Sequence, residues 1–282
     1  MIHRTVTVAA GSRSLVELAT VKAELGITGS GSDTKLNRLI LAASSMLAGP
    51  EGLNREPWLQ TYLEHLPGRG GHYLILSRWP IQSVASVTRG TTDSPDTVTA
   101  SDYEVAGNAW RDRLYKKTGW TLDRLDTPHD STVTDGPLPA YNATYTAGWV
   151  MPDLVTEWSA GASVAASAWF KSTDADEPFI FQADAVGGTT DAAEPTWPTV
   201  AAGTVTDNGI TWTAYDQQLP KSVEEAAILL VAGWFSGDSS IPSGIKSEAH
   251  DGSRIEYLAP DVVTPLSAAV RALVSPYRSA SF

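Results

Sequence analysis

The stretch from Glu157 to Asp216 is built from different residues than its flanks, and any fold must accommodate that break. It holds nine acidic residues against one base, Lys171, for a net charge of −8. The remainder carries 23 acids and 19 bases, a net of −4. The stretch has no leucine and no arginine, yet contains four of the ten tryptophans. Its flanks read as one continuous unit cut open. Tyr141, Ala143, Tyr145 and Ala147 alternate with Asn142, Thr144 and Thr146, the period of a half-buried strand, and Gly148 then marks a turn or bulge. The next helix begins only at Leu219-Pro220-Lys221-Ser222, with Val223, Ala226, Ala227, Leu230, Val231 and Trp234 on one face. Ser222 is the expected N-cap, with Glu224 and Glu225 at the positive end of the helix dipole. The sequence therefore predicts a discontinuous domain, 1–156 and 217–282, with a small all-β module inserted at 157–216.

Within the larger domain the order is helices, strands, helices. Thr5 to Val8 favour an extended arm. Leu18 to Leu25 and a second stretch capped by Asp33, with Leu36, Leu39, Ile40, Ala43, Met46 and Leu47, have helical spacing. Strand signals follow at Trp58 to Leu66, Tyr73 to Leu76, Val84 to Val87, and across Gly107-Asn108 between Tyr103–Ala106 and Arg113–Tyr115. A further strand signal is Trp120-Thr121-Leu122. A short hairpin over His250-Asp251-Gly252 and a last helix from Pro265 to Leu273 close the chain. Segregated helices and strands predict an α+β fold, and not the alternation of a parallel sheet. In the module, Asp207-Asn208-Gly209 is a tight-turn signal between strands at Thr204 to Thr206 and Ile210 to Ala214.

Several function classes lose support at this level. The chain has 282 residues and no cysteine, so disulfides and thiolate metal sites are excluded. No apolar run reaches the roughly 18 residues of a membrane span, and the first residues carry no apolar signal core, so neither a membrane partner nor export through such a signal is expected. A net charge of −12 argues against gripping nucleic-acid phosphates. Arg111, Arg113, Lys116 and Lys117 form the one dense basic cluster, and a solvated hairpin face explains it better than a DNA grip. His3, His65, His72, His129 and His250 are scattered without metal-ligand spacing. Gly68-Arg69-Gly70-Gly71 lacks the ending of a phosphate loop. Asp123 and Asp126 read as loop carboxylates, and Asp174, Asp176 and Glu177 lack the order of a calcium loop. The expectation is no enzyme, no cofactor and no metal.

A series of motifs, in order, resembles one family. Leu18-x-x-Val21-Lys22-x-x-Leu25-x-Ile27 comes first, then Asp33 with Leu36, Leu39, Ile40 and Ala43, then Arg55 and Thr61-Tyr62-x-Glu64. The most specific is Leu74-x-Leu76-x-Arg78-x-Pro80-Ile81-x-Ser83-Val84-x-Ser86-Val87. Tyr103-Glu104-Val105, Tyr145-Thr146-Ala147-Gly148, Leu219-Pro220 with the Ala226-Ala227 helix, Ser247-Glu248 and Leu273-x-x-Pro276-Tyr277-Arg278 complete it. This is similar to the head–tail connector (adaptor, or head-completion) proteins of tailed bacteriophages, over about residues 15 to 150 and 217 to 282.

The resemblance implies a small helical bundle with a β-rich portion, and a structural virion protein at the neck, assembled in the host cytoplasm. It implies a ring of twelve copies of itself on the portal protein. The ring would extend the DNA channel and offer a surface to a stopper or tail-completion protein. Double-stranded DNA would pass through without tight binding, and the insert could reach the capsid. Carried onto this chain, the portal-docking residues are Leu266, Val270, Leu273, Tyr277, Arg278 and Phe282. Core packing is the alternative for Leu266, Val270 and Leu273, whereas past Pro276 little chain remains to fold onto. The module is similar to small β-modules of phage tail and neck proteins. Trp169, Trp197 and Trp212 are either its core or a stacking surface for sugar rings, which would make the protein a carbohydrate- or surface-binding virion component.

Overall fold

The computed structural model describes residues 3–67, 70–90, 96–106, 111–120, 141–174, 177–216, 218–236, 247–250, 253–256 and 266–279. The chain divides into two compact units, Met1–Gly11 with Trp58–Trp149, and Ser12–Pro57 with Val150–Phe282.

The described elements of the first unit are strands and one short 3-10 turn, Ala100–Asp102. Strands β1 (His3–Val8), β2 (Gln60–Leu66), β3 (Tyr73–Ile75), β4 (Ile81–Arg89), β5 (Asp96–Val98), β6 (Tyr103–Ala106), β7 (Arg113–Lys116) and β8 (Tyr141–Ala147) form two sheets. The larger has the order β1-β2-β8-β4-β5, with every neighbour antiparallel. The smaller is β3-β7-β6. The alternation in β8 is the cause of its central place. Tyr141, Ala143, Tyr145 and Ala147 are all buried, and they meet Tyr62, Leu66, Ile81 and Val87 in one core with Leu74, Leu76, Leu114 and Trp120. Trp120 crosses Tyr141 edge-on at 5.3 Å and donates its indole N–H to the Leu114 carbonyl. Gly148 ends the strand at φ +110°, and a Cβ there would stand 2.3 Å from the Trp58 carbonyl oxygen. Only glycine meets both demands.

The second unit holds the helices and the module. Helices α1 (Leu18–Glu24), α2 (Asp33–Ala48), α3 (Lys221–Phe235) and α4 (Ala268–Val274) are the α-helices among the described residues, and α3 packs against the other three. Val21 of α1, Leu36, Ile40, Ala43 and Leu47 of α2, Val223, Ala226, Ala227 and Val231 of α3, and Val270 of α4 are buried. These are the positions the helical spacing selects. Asp33 is the first helical residue and not the cap, and α3 starts at Lys221 behind Pro220, so Ser222 lies inside its first turn. Proline's fixed φ starts the helix there without a side-chain cap.

The module's sheet runs β14 (Thr204–Asp207), β15 (Ile210–Tyr215), β12 (Ile180–Ala183), β11 (Trp169–Lys171) and β9 (Val155–Glu157), with β9 parallel to β11. A short pair, β10 (Ser163–Val164) and β13 (Gly188–Thr189), stands beside it. Asn208 and Gly209 both have positive φ, as the tight hairpin requires. β9 begins before Glu157, so the module's sheet recruits two residues from the flank. Val150 forms an isolated parallel bridge with Gln218, so the chain enters and leaves this region side by side. A hairpin of β16 (Ser247–His250) and β17 (Ser253–Glu256) precedes α4.

The fold class is α+β with strands predominating, and the expected helical bundle is corrected. Helical periodicity occupies four segments, confined to one unit, while the β-rich portion is a separate unit with its own core. Gly107-Asn108, Thr121-Leu122, Gly68-Arg69, Asp123, Asp126, His129, Asp176 and Phe282 lie outside the described residues.

Candidate functional site

The expected docking residues fall into two groups. Leu266 and Val270 are 0% and 2% exposed, so their side chains fill the chain's own core. Ser267, between them, caps α4 by accepting from the Val270 N–H. Leu273 and Tyr277 are half-buried, and Arg278 is exposed. Past Pro276 the chain does find something to fold onto, namely the loop that follows α2. The Arg278 guanidinium donates to the Pro50 carbonyl at 2.7 Å, and the Ser279 N–H donates to the Leu53 carbonyl at 2.8 Å. The Asn54 amide donates to the Ser279 carbonyl, and Arg55, itself 3% exposed, donates Nε–H to the Tyr277 carbonyl. The sequence missed this because its partners are backbone carbonyls, which no motif spells. What reaches the surface here is one face of Leu273, Tyr277 and Arg278.

The module tryptophans make its interior. Trp212 is 0% exposed and Trp197 8%. Phe181 stacks on Trp197 at 3.9 Å, Trp212 meets Trp197 edge-on at 5.8 Å, and Phe170 meets Trp212 at 5.0 Å. Rings so enclosed have no face left for a sugar. Trp169 keeps part of its surface and packs edge-on against Tyr215. A chain segment without leucine thus builds its core from aromatic area, which is large per residue.

The module's acids are mostly structural. Asp207 is buried and accepts from the Trp158 indole N–H and the Asp191 N–H. Asp184 accepts from the Thr211, Val186 and Gly187 N–H groups, and these bonds hold its carboxyl below the usual range. Burial pushes Glu194 up, but hydrogen bonds from Thr173, Trp197 and Ser172 together outweigh it and hold the carboxyl low. Asp174 and Glu177 lie in one loop, and among the described residues no three His, Asp or Glu side chains gather as metal ligands.

A cleft of about 290 Å³ lies between α1, α3 and the module. Val150, Pro152, Ile180 and Leu219 floor it, with Glu17, Glu224, Lys171 and Lys221 around them. Burial raises the Glu17 carboxyl, Lys171 opposes this, and Glu224 and Asp153 add to it. Among the described residues that line the cleft there is no serine, cysteine or histidine. In the first unit, Glu64 is fully buried and accepts from the Tyr145 hydroxyl at 2.5 Å and the Ser77 N–H at 3.1 Å. This knots β2, β8 and the turn after β3. The basic cluster serves its own sheet: Arg113 donates twice to the Asp112 carboxylate and lies over Tyr73, and Lys116 lies over Trp120. No helix among the described residues is long and apolar enough to cross a membrane.

No family model and no curated protein matches the chain. Among solved structures, it is similar to the neck of an empty GTA particle computed with C6 symmetry, at 13% identity over 99% of this chain and 97% of that one, with a TM-score of 0.46. It is also similar to a chain of the virion of a native gene transfer agent particle, at 13% identity over 99% and 96%, with a TM-score of 0.44.

Proposed function

We propose that this chain is a structural protein of a phage-type neck, one subunit of an adaptor ring that joins the portal to the next neck or tail protein and extends the DNA channel. One observation carries the reading: the residues of the ordered motif series, far apart in sequence, meet as the joints of the fold. Leu74, Leu76, Ile81, Val87 and Tyr145 share one core. Glu64 binds Tyr145 and the Ser77 backbone. Arg55 holds the carbonyl of Tyr277. The motif residues thus hold this fold together, which supports the resemblance they carry. The reading needs no cofactor and no catalytic centre. It assigns the portal contact to Leu273, Tyr277 and Arg278 and excludes Leu266 and Val270. It takes the module as a peripheral domain able to touch the capsid, since its tryptophans are enclosed.

The test is capture of the purified chain by portal assemblies. Tyr277→Ala is expected to fold because Tyr277 contributes its backbone carbonyl, Arg278→Glu because it gives up only one exposed bond, to Pro50, and both are expected to lose capture. Wild-type chain that fails to bind portal, or variants that bind as well as wild type, overturn the reading.

A further inference from the structure

The five-stranded sheet ends in two edges whose outward backbone groups have no partner among the described residues: β1 and β5. Natural edge strands are guarded by charge, proline or a cover. Thr5 to Val8 of β1 carry none of these, and Val6 and Val8 are 41% and 60% exposed. The register irregularity of β1 falls between Val6 and Val8, which leaves His3 to Val6 straight against β2. A straight, β-branched edge whose one charged residue is Arg4 is a template for another strand that carries an acid.

We propose that β1 of one copy adds in parallel to β5 of the next, so that the sheets of successive copies join head to tail. This rests on the ring reading above and names its joint. Strand direction selects the partner. Five strands, each antiparallel to its neighbour, leave β1 and β5 running the same way. Rotation about a ring axis keeps the sense of each sheet, so the joint between β5 and the next β1 must be parallel. Pairing β1 with β1 would be antiparallel and would close a dimer instead.

Side-chain facing selects the register. Arg4 and Val6 stand opposite the buried Glu64 and Tyr62, which puts both on the core face of the sheet. Val98 stands opposite the buried Val87, and Asp96 opposite Arg89, which itself pairs with the buried Tyr141, so both are on that same face. Aligning the strands in parallel sets Arg4 beside Asp96 and Val6 beside Val98. Charge meets opposite charge, valine covers valine, and core face continues core face. A shift by one residue would turn every one of these side chains against the wrong face.

The chain has no cysteine, which makes the test clean. In the full-length Val6→Cys/Val98→Cys variant, a short thiol-to-thiol cross-linker is expected to give a ladder of dimer, trimer and higher multimers ending in a closed species. Val6→Cys alone should stay uncross-linked. Asp96→Arg is expected to suppress the multimers at near-physiological salt, and Arg4→Asp/Asp96→Arg to restore them. Three results overturn the proposal: no ladder in the double-cysteine variant at the highest soluble concentration, efficient dimers from Val6→Cys alone, or a charge swap that restores nothing. The outcome separates from the portal test. A ladder without portal capture sinks the neck reading and leaves this joint standing. Portal capture by a chain that never cross-links does the reverse.

Discussion

At the scale of single residues, the sequence shows types and spacing but not which distant groups meet. Tyr145 lies in the alternating stretch and Glu64 in the strand signal from Trp58 to Leu66. That the carboxylate would be fully buried, with the tyrosine hydroxyl as its donor, follows from neither, because β2 and β8 are joined only by sheet order. Burial, with the Glu64 charge adding to it, raises the Tyr145 hydroxyl well above its usual range, so it remains a donor at any ordinary pH. Tyr145→Phe removes a donor from a buried acid and is expected to cost about 1–3 kcal/mol in chemical denaturation. Unchanged stability would show that the bond contributes nothing. Asp184 and Glu194 give the pH dependence. Both folded-state carboxyls titrate below the unfolded reference near 4, so their contribution is present above that value and is lost as pH falls through the folded one. Acid unfolding followed by near-UV circular dichroism should therefore flatten in the Asp184→Asn/Glu194→Gln variant. An acid profile identical to wild type would exclude these two groups as its source.

At the scale of elements, strands and helices were legible where the period was long. β8 and the core faces of α2 and α3 follow from it directly. Helix starts were not, since Asp33 and Ser222 look like caps but sit inside their helices, where Ser32 and Pro220 take the boundary. Glycine was the firmer signal. Gly148 marked the end of β8, and the reason is now geometric: positive φ and a carbonyl 2.3 Å from any Cβ. Gly148→Ala must distort either this turn or the Trp58 backbone, and a loss on the order of 3 kcal/mol is expected in thermal or denaturant unfolding. A loss below about 0.5 kcal/mol, the range of an ordinary surface change, would contradict the account.

At the scale of the whole molecule, composition sets Glu157 to Asp216 apart, and Trp158, Trp197 and Trp212, which it concentrates there, gather in one core. It did not foretell that β9 starts at Val155 or that the β-rich portion separates as its own unit, because both depend on pairing between distant strands. The charge has a direct consequence. With a net of −12, and with Arg113 and Lys116 engaged in their own sheet, the free chain is expected to bind duplex DNA no more tightly than the roughly 10⁻⁶ M of non-specific contacts at near-physiological salt. Submicromolar binding in a gel-shift assay would rule this out. The bridge between Val150 and Gln218 carries a different consequence. Paired strands stand about 4.8 Å apart, so the surrounding fold feels only that two chain ends must come that close. The entropy of closing a loop grows slowly with its length. For closure of the backbone, the stretch between those two residues is thus a long loop with paired feet. Its side chains still meet those of α1 and α3 around the cleft, so the feet set where the stretch is held and the cleft sets which face it turns inward.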